Sequence, residues 1–452
     1  MKRIQNKSFY MDILAIALPI TLQSVISTGV NVMDTVMLGS LGEIKIAASS
    51  LANQFIQIHQ VCSLGLGTGA AVLTARAWGA NNIERIKKVH TAMMHLTLLI
   101  ALVFFLLAAC FPIPIMKILT RDMSIVEDGA TYLLWSLPSF FFGSTAFASV
   151  HVLRSVGCNK LPLISAVAAF VVNILANYVF IYGHFGAPAM GIAGAALGTS
   201  ISRMVEFLIV YVYMFCFDKR IRYRLRDLLM PYRDVLPMFV KVSLPVIISD
   251  TLLGLGHSTV AVIIGHIGPA FVAANAIIAT VAKMSTIFTQ GATSAACILT
   301  GQLLGGNHQE GIKNQTAAFT FLGLLLGLFS GCLIALISVP MLQFYDINEQ
   351  TYEIAVQLSW AVSVTVVFQC VGSMMTQIIR SGGDTQFLLV ADLVFLWLVS
   401  VPLGACAALV WNCSAFVIYC CLKAEFVLKV LLCAWRLRSG KWIRQLENET
   451  EC

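Results

Sequence analysis

The chain has 452 residues, of which 58% are hydrophobic and only 11% charged. A soluble domain carries about 25% charged residues, so this composition excludes an ordinary globular protein and places the chain among polytopic membrane proteins. The net charge of +7 is not the footprint of a nucleic-acid binder, because the basic residues gather in alternate connections between apolar runs.

Runs of about 20 apolar residues, enough to cross about 30 Å of hydrocarbon as helix, are the organising feature. Twelve are read, at 13–37, 46–74, 91–112, 128–153, 161–182 and 190–217, then 241–265, 270–299, 316–339, 354–378, 387–409 and 411–433. The chain is therefore expected to be all-α, with twelve transmembrane helices. Its basic start and first apolar run lack a small-residue cleavage site and read as a retained span.

The connections set the expected orientation, since Lys and Arg are held on the cytoplasmic side. Arg76, Arg85, Lys87 and Lys88 follow the second run, Arg154 and Lys160 follow the fourth, and Lys219, Arg220, Arg222, Arg224, Arg226 and Arg233 follow the sixth. The connections with Asp122, Glu127 and Asp128, and with Asp346, Glu349 and Glu353, are acidic. Both termini are thus expected in the cytoplasm.

A repeat runs through the chain at an offset of 226 residues. Pro19 matches Pro245, Gly39 Gly265, Gly42 Gly268, Leu73 and Thr74 Leu299 and Thr300, Asn81 Asn307, and Arg154, Ser155 and Gly157 match Arg380, Ser381 and Gly383. Holding one offset over so many positions points to duplication of a six-helix unit. Six is even, so the copies insert in parallel, an arrangement that commonly holds a substrate site between repeats and alternates its access by rocking. The expected domains are an N-lobe (1–217), a basic cytoplasmic linker (218–241), a C-lobe (242–435) and a cytoplasmic tail (436–452).

Against this frame a few residues stand out. Asp34 lies in VNVMDTVMLGSLG, near the end of an otherwise apolar helix. An ionised side chain near the bilayer centre costs roughly 3 kcal/mol on insertion scales, so such acids usually face a cavity and have a function. Asn173 and Asn177 are spaced i,i+4 and share a helical face. Amide oxygens with one carboxylate suit Na⁺ coordination or a proton relay.

In the second half Asp250, Asp392 and Lys283 lie within apolar runs, and Lys283 is expected to pair with one of the two acids. Arg203 and Glu206 read as a local ion pair. His151 and His257 read as satisfied core residues. Asn53, Gln57 and Gln60 form a polar stripe expected to line a central cavity. Met284 and Phe288, with Phe140, Phe141 and Phe142, offer apolar contact for flat cations. Gly65, Gly67 and Gly69 suggest close helix packing or a hinge. The thirteen cysteines show no CxxC or ligand spacing and read as small hydrophobes. No GK[ST] loop is present, so ATP is not the expected energy source.

The order of PITLQSVISTGVNVMDTVMLGSLG, RSVGCNK, NILANYVFIYG, GIAGAALGTSISR and RSGGDT resembles the MATE (multidrug and toxic compound extrusion) family, closer to its NorM-type bacterial branch. The resemblance covers almost the whole chain. It implies a secondary antiporter, not an enzyme, that exports small amphipathic, often cationic organic compounds in exchange for H⁺ or Na⁺ by rocker-switch alternating access. It further implies a multi-pass protein of the bacterial inner membrane, acting as a monomer, without cofactor, ATP or nucleic-acid partner.

By the same resemblance Asp34, Asn173, Asn177 and Thr199 form the N-lobe coupling site, and a seventh-helix acid is its C-lobe counterpart, with Asp250 about one turn from that place. Asp392 and Lys283 are further C-lobe candidates by their depth in the apolar runs alone. Two departures limit it. Many members carry a second Asp where this chain has Asn177, which leaves H⁺ and Na⁺ both open, and some carry a carboxylate where it has Gln369. Two other readings are a lipid-linked precursor flippase of the polysaccharide-exporter type and a membrane enzyme. The flippase would want a cationic cavity, whereas acids accompany Lys283. The enzyme lacks a nucleophile–base pair or an HExxH set.

Overall fold

The computed structural model describes residues 7–306, 309–343, 347–411 and 413–444. Asn307 of the repeat, Asp346 of the acidic connection and the end of the tail lie outside the described residues. The first half contains α1 (Lys7–Gly39), α2 (Glu43–Gly79), α3 (Ile83–Cys110), a short α4 (Pro112–Leu119), α5 (Met123–Trp135), α6 (Leu137–Ser155), α7 (Lys160–Tyr182) and α8 (Ile192–Val212). The second contains α9 (Leu236–Ile267), α10 (Pro269–Ser285), α11 (Ile287–Gly305), α12 (Gln309–Leu342), α13 (Glu349–Ser381), α14 (Thr385–Leu393), α15 (Val401–Ala405), α16 (Ala415–Leu422) and α17 (Ala424–Ser439). Wider π-helical turns extend α8 over Tyr213–Phe217, join α14 to α15 over Val394–Ser400 and continue α15 over Cys406–Val410.

Among the described residues nine helical stretches are long and apolar enough to cross a membrane alone, and two bent pairs add a span each, α5–α6 at 54° and α10–α11 at 46°. The pair α16–α17, interrupted at Lys423, stands where the twelfth run is read. The sequence reading of this last span, 411–433, needs correction. The helical part runs from Ala415 to Ser439 and carries Lys423, Glu425 and Lys429. The run 411–433 already holds those three charges and stops short of the helix end at Ser439. Lys429 pairs with Asp392, and Lys423 lies beside His257.

The recurring glycines have a conformational reason. Gly42 and Gly268 start their helices at φ 106° and 141°, and Gly157 and Gly383 turn at φ 80° and 77°, all in the region where a Cβ is disfavoured. Small residues also set helix spacing. Gly323, Gly327 and Gly331, one turn apart on α12, lie against Met374, Val367 and Ser363 of α13, the close approach expected of membrane helices. Large side chains point outward instead: Leu98, Leu99, Leu102 and Val103 on α3, and Leu324, Leu325 and Leu328 on α12, are exposed.

By packing, the chain forms two compact units, Leu22–Ile247 and Met1–Thr21 together with Ile248–Cys452. This division differs from lobes of 1–217 and 242–435 in two short helical pieces. Both pieces follow from the helices that carry an internal proline, Pro19 in α1 and Pro245 in α9, which removes a backbone hydrogen bond and bends the helix. Ile13 and Ile16, before Pro19, and Ile20, just after it, join the core of Ala292, Ala295, Ala296, Met374 and Ile378 in the second unit. In the first unit Ser243 and Ile247 of α9 pack onto the backbone of α2, where a Cβ at Gly69 or Gly65 would collide with them. The glycine run of α2 is therefore a packing surface. The two exchange points, Thr21 and Ile247, are themselves 226 residues apart.

Candidate functional site

In the first unit α1, α7 and α8 bring one carboxylate to two buried amides. Asn177 Nδ2 donates to Asp34 Oδ1 at 2.6 Å and more weakly to Asn173 Oδ1 at 3.5 Å. Asn173 and Asn177 are 1% and 0% exposed, whereas Asp34 is half-buried. The register holds because α1 lies along α7 above and below the acid, with Gly29 against Phe170 and the Tyr182 hydroxyl donating to Met37 O at 3.0 Å.

Room for Asn177 comes from α8. A Cβ at Gly194 would enter the Phe180 backbone, and one at Gly198 would collide with Asn177 Oδ1 and lie 3.1 Å from its backbone N. The GAALG segment is thus a small-xxx-small contact. Overpacking of this kind costs about 1–3 kcal/mol. Gly194→Ala is expected to lower thermal stability in detergent more than Gly198→Ala, since the Asn177 side chain can rotate away and the Phe180 carbonyl cannot. Equal midpoints for the two variants would contradict this packing.

Around the acid several polar atoms are poorly satisfied. Asn177 Oδ1 is buried without a partner, normally a cost of roughly 1–3 kcal/mol. Asn173 Nδ2 and Thr199 Oγ1 make no hydrogen bond of good geometry, although Asn173 interacts with the Asp34 carboxylate. Thr199 faces the Tyr132 phenol, to which Asn53 Nδ2 donates at 3.5 Å. The Asp34 carboxylate, Asn177 Oδ1 and Thr199 Oγ1 are hard oxygen donors, the type that alkali and alkaline-earth cations take. They are equally able to hold water or accept a proton.

Farther along α8, Arg203 donates to Glu206 at 2.8 Å, as expected from their spacing. Arg203 is close enough to act on Asp34 electrostatically, and Glu206 on Arg154. Arg154 in turn donates to Gln23 Oε1, just past the Pro19 bend. A row of polar groups therefore runs from Asp34 to the bend within one unit.

The second unit departs from expectation. Lys283 is exposed and pairs with neither acid. Asp250 instead accepts from Arg380 at 3.3 Å, and Asp392 accepts from Ser249 at 2.5 Å and from Lys429. The apolar run around Lys283 reports its depth, and depth does not say which way a helix faces. Arg380 is the repeat mate of Arg154, and both reach the stretch just after a helix-bending proline, so the Asp250–Arg380 pair has the character of a scaffold tie.

What sequence reasoning missed lies on α17. Glu425 is 5% exposed, and its Oε1 has no hydrogen-bond partner. Its backbone N–H donates to Ser400 Oγ at 2.7 Å, and the charges of Lys423, Lys429 and Asp392 all act on it. His257, read as a satisfied core residue, has Nδ1 3.5 Å from Lys423 Nζ. The signal was present at the repeat offset, where Thr199 corresponds to Glu425 and Arg203 to Lys429.

Of the other residues singled out, Asn53, Gln57 and Gln60 are exposed on their unit, as are Met284 and Phe288. Phe140 is not. It is 1% exposed and packs with Phe55, Phe104 and the buried His59, a core contact rather than a binding surface. His151 is set edge-on to Phe147, and its Nε2 has no partner.

The MatE family profile matches residues 19–179 and again 245–406. The two stretches begin at the paired prolines, so the duplication seen in the sequence is the family's own. The chain is similar to "Probable multidrug resistance protein YoeA" of Bacillus subtilis (strain 168), 26% identical over 76% of this chain and 74% of that protein. It is 24% identical to "Probable multidrug resistance protein NorM" of Thermotoga maritima over 95% of this chain and 92% of that one. A solved structure described as an outward-facing multidrug resistance MATE family transporter of the MOP superfamily superimposes with a TM-score of 0.86 at 18% identity, over 95% of this chain and 96% of that one. The chain belongs to the MatE family and is a membrane transporter, not an enzyme.

Proposed function

We propose that the protein is a secondary antiporter exporting small amphipathic, often cationic organic compounds in exchange for H⁺ or Na⁺. The observation that carries this is Asp34 bonded to a fully buried Asn177, with unsatisfied oxygens beside it. Neutralising the acid, by a proton or by Na⁺ shared with Asn177 Oδ1 and Thr199 Oγ1, removes the cost of a charge in a low-dielectric site and favours a different packing of α1 against α7. That shift is the first step of a rocker-switch alternation. Relatives named for multidrug resistance support the substrate class.

In the second unit we assign a supporting coupling role to Asp392 with Glu425 and Lys429, ahead of Asp250 and Lys283. The basic connections support a reading with both termini in the cytoplasm of a bacterial cell. Dye efflux from vesicles tests the reading, with pH and Na⁺ gradients imposed separately. One gradient, outside to inside, is expected to drive export with no ATP present. Export that follows neither gradient would overturn it.

A further inference from the structure

The segment joining α8 to α9 is folded. Asp218 accepts backbone N–H bonds from Arg220 at 3.2 Å, Ile221 at 2.9 Å and Arg222 at 3.2 Å, which turns the chain directly after Phe217. Tyr223 is 1% exposed, with its hydroxyl 2.6 Å from that of Thr91 and its ring edge-on to His90. Asp227 accepts from Lys87 at 2.8 Å and from the Arg224 backbone at 2.9 Å. Burial raises the Asp227 carboxyl, but Lys87 and the Arg224 amide outweigh it and hold the group below the usual carboxylate range. This anchor is therefore present above the ordinary carboxylate range and is lost only as pH falls through the lowered value.

These contacts fix the segment's depth. It lies beside the first turns of α3, with the rings of His95 and Tyr232 5.2 Å apart. Directly after His95, α3 turns Leu98, Leu99, Leu102 and Val103 outward, where its exposed apolar face begins. The segment thus lies level with the start of the exposed apolar face of α3, the depth at which a membrane–water boundary is expected.

Its outward side combines two chemistries. Arg222, Arg224 and Arg226 are exposed. Interleaved with them, Phe217, Leu225 and Leu229 are 66%, 67% and 88% exposed. Arginines alone would be an ordinary solvated loop, but apolar side chains of this size are unfavourable in water. Basic and apolar groups at interfacial depth match the phosphate layer and acyl boundary of one leaflet. We infer that residues 217–229 form a docking site for anionic phospholipid, with Arg222, Arg224 and Arg226 on the headgroup phosphates and Leu225 and Leu229 in the acyl boundary.

The test uses the full-length protein. Native mass spectrometry with added phosphatidylglycerol is expected to show apparent affinity falling about fivefold for each of Arg222→Gln, Arg224→Gln and Arg226→Gln, with weaker binding of phosphatidylcholine throughout. Unchanged binding in the triple variant, or equal binding of the two lipids by the native protein, overturns the site. Excess inorganic phosphate is expected to leave the lipid bound, and displacement by it would reduce the site to an anion site and overturn it. Should the triple variant not fold, Leu229→Trp in nanodiscs gives a second measure. Its added fluorescence is expected to be quenched by brominated phosphatidylglycerol, and no quenching would place the leucines in water or against a soluble partner and overturn the inference.

Discussion

Replacing Asp34 with Asn is expected to abolish gradient-driven export while leaving the protein inserted and folded. The substitution keeps an acceptor oxygen for Asn177 Nδ2, whose 2.6 Å bond ties α1 to α7, so the local packing survives. What is lost is a group whose charge can change. Each elementary charge crossing 100 mV supplies about 2.3 kcal/mol, nearly a fiftyfold gradient, and without the acid that energy has no point of entry in this unit. Transport in vesicles under an imposed gradient is the measurement, with the amount of inserted protein as control. Native-level export by this variant would sink the assignment. Asn177→Ala, which leaves the acid but removes its partner, should fall between the two.

The second large effect is expected at Lys429. Its ion pair with Asp392, which is 3% exposed at the side chain, is buried, and removing one partner strands the other. Breaking such a pair costs about 3–5 kcal/mol, whereas replacing both partners by apolar residues is often neutral or stabilising. Lys429→Met should therefore lower the unfolding midpoint in detergent strongly, and adding Asp392→Leu should recover most of the loss. The stable double variant also separates scaffold from coupling. Full export by it would show that the pair only holds α14 against α17, and reduced export at normal stability is the result expected from the coupling role.

Much of this was legible from the residues. The twelve apolar runs, the 226-residue duplication and the isolation of Asp34 follow from hydropathy and spacing, because the bilayer penalises charge and the repeat preserves glycines at positive φ. The placement of Asn173 and Asn177 on one face followed from their i,i+4 spacing. The Lys283 pairing did not hold, since hydropathy reports depth but not azimuth, and Asp250 and Asp392 found Arg380 and Lys429 instead. Glu425 and Lys429 lie inside the 411–433 run, where a hydropathy average absorbs them among apolar neighbours instead of singling them out. Phe140 shows the same limit: an aromatic in an apolar helix looks the same whether it faces core or cavity.

The exchange of helix ends at Thr21 and Ile247 has a consequence for how the halves could ever have existed apart. Each half-chain contributes one proline-bent arm to the other's core, which is the geometry of a domain-swapped homodimer fused into one polypeptide. Neither half is complete on its own: the first would leave Gly65 and Gly69 bare, and the second would lack Ile13, Ile16 and Ile20. Split genes cut within residues 225–235 should therefore restore transport only when both fragments are made in the same cell.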